Sequence, residues 1–236
     1  MTTHQMLNNI SHQDTKIITD LTPEFTEIGS YSQLILDEIK AAQADFPIFF
    51  RKSQQDESYQ LIALFGLAEQ ENLFINNSGW QAHYVPLSIK RQPFLIGFQE
   101  QNGTTEPVVC IDMNSPRVNT EKGEAVFLPH GGQSGYLQDV SSILQALHQG
   151  HDAVKAFIAT LLHHDLIEPV DLSITLDNQE KINIQDISTV NEDKLAALAS
   201  DALIDLHSKG YLSHIYMLIA SVANLTKLIA LKNAAL

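Results

Sequence analysis

The stretch PFLIGFQEQNGTTEPVVCID (93–112) decides the fold. Two apolar runs, PFLIGF (93–98) and PVVCID (107–112), flank a polar span in which Asn102-Gly103 is a strong turn signal, because both residues tolerate the positive φ of a tight hairpin turn. An antiparallel hairpin is predicted. Upstream, PIFF (47–50), YQLIALFGL (59–67) and NLFI (72–75) are short apolar runs separated by the polar spans KSQQDES and AEQE, and they read as further antiparallel strands. Downstream, DLSITL (171–176) and KINIQDI (181–187) flank Asp177-Asn178 and predict another hairpin.

Helical spacing marks the remainder. Tyr31, Leu34, Ile35 and Ile39, with Ser30 as a cap and Pro47 as a stop, predict a first helix. Pro86 and Pro93 bracket a short helical piece over 87–91. Residues 137–148 and 152–166 place apolar side chains three and four apart, and Gly150 between them predicts an αα-hairpin. Asn191 caps a helix with Glu192 and Asp193 in its first turn, Leu195, Leu198, Ala202 and Leu206 as its stripe, and Gly210 as its end. The last helix, 213–231, is apolar on most sides. Ser221, Asn224, Thr226 and Lys227 interrupt its second half, so it reads as a buried or oligomer-forming helix and not as a membrane span. Together these patterns predict an α+β fold: an antiparallel sheet of short strands packed by C-terminal helices. Residues 1–28 are polar and aperiodic and read as a flexible N-terminal arm, leaving 29–236 as a single domain.

Composition narrows the function classes. The 236 residues carry 28 Asp or Glu against 14 Lys or Arg, a formal net charge of -14, with 44% hydrophobic and 18% charged residues. That is too apolar and too weakly charged for a disordered polyelectrolyte. A net negative chain without a basic stripe is repelled by phosphate backbones, which excludes nucleic acid as the expected partner. The single Cys110 can form no internal disulfide and no Cys-based zinc site, which fits a reducing cytoplasm. The opening residues show no basic region followed by an apolar one, so a cytoplasmic location is expected.

Several constellations bear chemistry, each beside a structural reading. His130-Gly131-Gly132 followed by Gln133-Ser134-Gly135 begins like a nucleophile elbow, but Tyr136 stands where the last glycine belongs; a turn entering a helix is the simpler account. His148, His151, His163, His164, His207 and His214 invite a metal, yet His151 and His163 lie roughly 18 Å apart along one helix, and no His-Glu-x-x-His spacing supports a site. No metal and no cofactor are predicted. Cys110 lies in an apolar strand without a sequence neighbour that would make it a thiolate. Asp112 and Arg117 are expected to pair across the Asn114-Ser115-Pro116 turn. The segment 80–94 concentrates Trp80, His83, Tyr84, Lys90 and Arg91 in an otherwise acidic protein, a mixture suited to anchoring a partner or clamping a carboxylate. Trp80, His83, Tyr84, Lys90, Arg91, Asp112, Arg117 and His130 are therefore the candidate ligand-binding residues. Catalytic residues remain unassigned, and the competing reading is an enzyme built on Cys110, His130 or a histidine cluster.

Taken in order, ADFPIFF (44–50), ALFGL and ENLF (63–74), GWQAHYVPLSIKRQPF (79–94), CIDMNSPRV (110–118), GEAVF (123–127) and DLHSKGYLSHIYMLIASVANLTKLI (205–229) resemble the bacterial SapC-like family. The resemblance implies an accessory role linked to nutrient acquisition or cell-surface systems, and it carries no catalytic motif onto particular residues. The resulting expectation is a non-catalytic accessory or binding protein that engages a protein partner or a small acidic ligand, and that forms a homo-oligomer through its C-terminal helix.

Overall fold

The computed structural model describes residues 4–27, 29–53, 58–101 and 103–236. In chain order the strands before the long helix are β1 (His4–Met6), β2 (Lys16–Ile17), β3 (Tyr31–Gln33), β4 (Ile48–Lys52), β5 (Tyr59–Leu64), β6 (Ile75–Asn76), β7 (Gly79–Trp80), β8 (Phe94–Gln101), β9 (Thr104–Asp112), β10 (Val118–Asn119) and β11 (Glu124–Ala125). Two short helices, α1 (Ile39–Ala42) and α2 (Leu87–Lys90), lie among them. The long α3 (Gly135–His163) precedes the hairpin β12 (Ile167–Thr175) and β13 (Lys181–Val190), and α4 (Glu192–Ala196), α5 (Ser200–Ser208), α6 (Tyr211–Ser221) and α7 (Asn224–Ala234) complete the chain. The fold is α+β, with antiparallel sheets and C-terminal helices.

Where one domain and an arm are expected, the chain divides into two compact units. The first comprises the described residues of Met1–Glu27 together with Ile75–Trp80 and Leu87–His148; the second comprises those of Ile28–Phe74 with Gln81–Pro86 and Gln149–Leu236. In the first unit the expected hairpin forms the sheet β1-β9-β8, with Phe94 opposite Ile111 and Gln101 opposite Thr104; Asn102 of the expected turn lies outside the described residues. Residues assigned to the arm pair here: His4 faces Asp112 through β1, and Lys16–Ile17 is the middle strand of β10-β2-β11. Ile17, Phe94, Ile111, Val126, Phe127, Leu137, Val140 and Leu144 form this unit's core.

The second unit is built on the five-stranded sheet β12-β13-β4-β5-β3. Phe46, Phe65 and Phe74 stack edge to face with centroids 4.9–6.2 Å apart, and Phe157 meets Tyr211 at 5.0 Å. Such pairs add specific geometry to the burial of large apolar area.

Several sequence expectations need correction. Tyr31–Gln33 is a strand, not the start of a helix: it pairs with Ile62–Leu64, and only Leu36–Glu38 and Ile39–Ala42 turn helically. Pairing with a buried neighbour strand overrides local period. NLFI contributes only Ile75 to a strand, because the Asn72 side chain accepts from the Phe74 amide and turns the chain. The αα-hairpin is one continuous helix, α3. Gly150 sits inside it because Ile35 crosses there: a Cβ would lie 2.7–2.9 Å from three Ile35 side-chain atoms. Close packing, not a break, explains that glycine. The helix capped by Asn191 does start as read, with the Asn191 side chain accepting from the Lys194 amide at 2.7 Å, but extended Ala199 divides it into α4 and α5.

The last helix is likewise two, α6 and α7, separated at Val222-Ala223. Taken together, Tyr211–Ala234 is long and apolar enough to cross a membrane by length and composition, with mean hydropathy 1.5 and 22% of its most apolar window buried. The polar residues within it are docking groups. Ser221, fully buried, donates to the Leu218 carbonyl and accepts from the Ile48 amide at 3.0 Å, while Asn224 donates to the Gln43 and Phe46 carbonyls. Ile215, Leu218 and Leu228 are buried beside them. These bonds satisfy backbone groups between the end of α1 and the start of β4.

Candidate functional site

Five of the eight candidate binding residues fall in or beside two assemblies, one in each unit: His83 and Tyr84 in the second, Arg91, Asp112 and Arg117 in the first. In the second unit, Asp45 follows α1 and is almost wholly buried, with a side chain 2% exposed. Its carboxylate accepts from the His83 amide at 2.8 Å, the Tyr84 amide at 2.9 Å, His83 Nδ1 at 3.2 Å and Lys227 Nζ at 3.2 Å. Burial alone would raise the Asp45 pKa, but these hydrogen bonds and the Lys227 charge outweigh it and hold the carboxyl below its ordinary value. Tyr84 donates its hydroxyl to buried Glu38 at 2.9 Å, and Glu38 also accepts from the Ile35 amide. Burial first, and the adjoining Glu38 charge second, push the Tyr84 phenol far above its ordinary value. His83 and Tyr84 therefore hold Asp45 chiefly through their backbone, while the His83 ring stands 97% exposed.

The second assembly belongs to the first unit. A cavity of about 350 Å³ opens between the turn after α2 and the turn after β9. Arg91, Asp112, Glu27 and His4 are the ionisable groups on its wall, and Phe25, Pro93, Leu95 and Pro116 supply its apolar surface. The strands explain the placement: Asp112 closes β9 opposite His4 of β1, and its amide donates to the Pro93 carbonyl at 3.1 Å, so the two turns meet at one end of the sheet. Asp112 Oδ1 accepts from the Asn114 amide at 3.0 Å. Arg91 Nη1 donates to the Phe94 carbonyl at 2.6 Å. Burial lowers the Arg91 pKa from its ordinary value, and the Glu27 charge partly restores it.

Arg117 does not form the expected pair with Asp112. It is 3% exposed, and its guanidinium donates to the Phe25 carbonyl at 2.5 Å, the Gln92 carbonyl at 3.2 Å and Thr26 Oγ1 at 3.3 Å. Two backbone carbonyls and a hydroxyl, from the segments at Phe25–Thr26 and Gln92, capture the planar donor fork more effectively than one turn carboxylate does. Nearby, burial pushes the Tyr136 phenol up to about 12, with the Arg117 charge pulling the other way. Lys90 is exposed at the end of α2, Trp80 is half-buried opposite Ile75 on β7, and His130 is exposed in the turn closed by the Gly131 amide and the Leu128 carbonyl. The segment 80–94 is thus divided: Trp80, Lys90 and Arg91 belong to the first unit, His83 and Tyr84 to the second.

A larger cavity of about 420 Å³ in the first unit is lined by Met6, Asn8, Asn9, Val109, Gly131 and Leu137, among others, with no ionisable side chain. Asn8 accepts from the Ile10 and Ser11 amides and Asn9 donates to the Gly131 carbonyl, so its amide side chains shape loops. The residues of the competing enzyme reading lie outside this cavity. Cys110 is half-buried in β9 beside Gly97, where a Cβ would stand 2.6 Å from its sulfur. His163 and His164 touch ring to ring, and His164 reaches Asp205 at 3.4 Å. Among the described residues, no three His, Cys, Asp or Glu side chains gather in a way that could hold a metal.

Sequence reading missed Glu27 and His4 on the groove and Asp45 and Glu38 in the buried network. The first two lay in a region read as an arm. The signal for Asp45 is its place in ADFPIFF, a lone acid bordering a wholly apolar run.

A family model described as SapC matches residues 7–228 of the chain. No curated protein and no solved structure matches it.

Proposed function

The chain belongs to the SapC family, and we propose that it is a non-catalytic binding protein whose site is the groove at the end of the β1-β9-β8 sheet. One observation carries this reading: Arg91 and Asp112, on two separate turns, face a common cavity of about 350 Å³ with apolar surface beside them. Small-molecule sites combine a concave, largely apolar wall with a few convergent polar groups. The groove has that composition, whereas the Asp45 assembly has its acceptors filled and its carboxylate sealed. The role is accessory: the groove retains a ligand, and the charged groups orient it without breaking a bond.

Two-dimensional amide NMR of the full-length protein against a library of small polar fragments tests this. Binding at the groove moves the Leu95, Asp112, Asn114 and Ser115 amides together in a saturable way. A library that shifts the neighbourhood of Asp45 and Tyr84 and leaves those amides still would contradict the assignment.

A further inference from the structure

The groove's charges identify the class of molecule it takes, an inference that rests on the binding reading above. The segment 80–94 suggests an anion clamp from sequence, but Arg117 is buried beneath carbonyls and Lys90 does not line the cavity. The wall instead holds one guanidinium, Arg91, with two carboxylates, Asp112 and Glu27, and the His4 imidazole. Among the described residues, each retains bonding capacity beyond the contact it already makes. Arg91 uses Nη1 on the Phe94 carbonyl, leaving the other donors of its fork; Asp112 uses Oδ1 on the Asn114 amide, leaving Oδ2; Glu27 uses Oε2 on the Gln92 side chain at 3.4 Å, leaving Oε1.

We infer that the ligand is a small zwitterion, an amino acid or the equivalent, with its carboxylate on Arg91, its ammonium between Asp112 and Glu27, and an apolar side chain against Pro93, Leu95 and Pro116. A lone anion meets one cation and two like charges in this groove. A lone cation meets two carboxylates but also the like charge of Arg91. Only a molecule carrying both signs a few bonds apart pairs Arg91 and both carboxylates, and unpaired charges in a partly desolvated site are what separate a true ligand from its analogues. A cavity of about 350 Å³ suits a molecule of amino-acid size.

The test uses the full-length protein, a panel of the common free amino acids and, for each binder, its N-acetyl and carboxamide forms, read by calorimetry and by the groove amides in NMR. The expected result is saturable binding of an apolar amino acid, with affinity falling about tenfold or more when either charge is blocked. Asp112→Asn keeps an acceptor for the Asn114 amide, so it stays folded by circular dichroism and loses binding; Glu27→Gln weakens it in the same direction. A carboxamide or N-acetyl form that binds as well as its parent overturns the zwitterion. If uncharged or singly charged fragments move the groove amides and no amino acid does, the ligand class is wrong while the groove stands as a binding site. If nothing in either set moves them, both readings fall.

Discussion

Asp45 and Asp112 are each an acidic member of a charged cluster next to a tight turn, and they behave as opposites. Asp45 is sealed, with two backbone amides, a histidine and a lysine filling its oxygens. Asp112 has one oxygen engaged by its own turn and lines a cavity. The difference teaches that residue type does not separate architecture from function here; saturation of the acceptors does. A buried carboxylate with every lone pair filled has no capacity left for a ligand, and its removal is a folding event.

The largest expected effect follows from that contrast. Asp45→Ala leaves the His83 and Tyr84 amides and Lys227 without their acceptor, and should lower stability by about 3–5 kcal/mol in urea unfolding, whereas Asp112→Asn should cost less than about 1 kcal/mol. Equal losses would erase the distinction. Next, Gly150→Val should destabilise by about 1–3 kcal/mol, because the new side chain has to displace Ile35. A neutral result would mean that α3 does not pack there so closely.

The pH response should report on the sealed acid. The Asp45 carboxyl is held below its ordinary value in the folded protein, so its contribution is fully present above the unfolded carboxylate pKa of about 3.9 and is lost as pH falls through the folded value. Stability measured from about pH 5 downward should therefore fall less steeply in Asp45→Asn than in the parent. The smallest effect is expected at Tyr216, 58% exposed on α6, where Tyr216→Ser should change stability by less than about 0.5 kcal/mol. A larger loss that depends on protein concentration would show instead that α6 packs on a second copy.

Local chemistry made much of the fold legible. Alternating apolar runs around short polar turns located β8, β9, β12 and β13, and Asn191 marked its helix start by its own side chain. What stayed hidden depended on partners distant in sequence. Gly150 reads as punctuation until Ile35 is seen against it, and Tyr31–Gln33 reads as helix until β5 offers an edge. Ser221 and Asn224 read as interruptions of an apolar helix, yet they satisfy Ile48, Gln43 and Phe46 more than 170 residues earlier in the chain. The site followed the same rule. Arg91 and Asp112 were legible as charged turn residues, but the cavity joining them, and Glu27 beside them, exist only through strand pairing at one end of the sheet.

The most direct measurement is an amide NMR titration of the parent protein and Asp112→Asn with the tightest-binding amino acid. The account predicts saturable shifts at Leu95, Asp112, Asn114 and Ser115 in the parent, none of comparable size around Asp45, and their loss in the variant. Identical shifts in both proteins, or shifts centred on Asp45 and Tyr84, would contradict it.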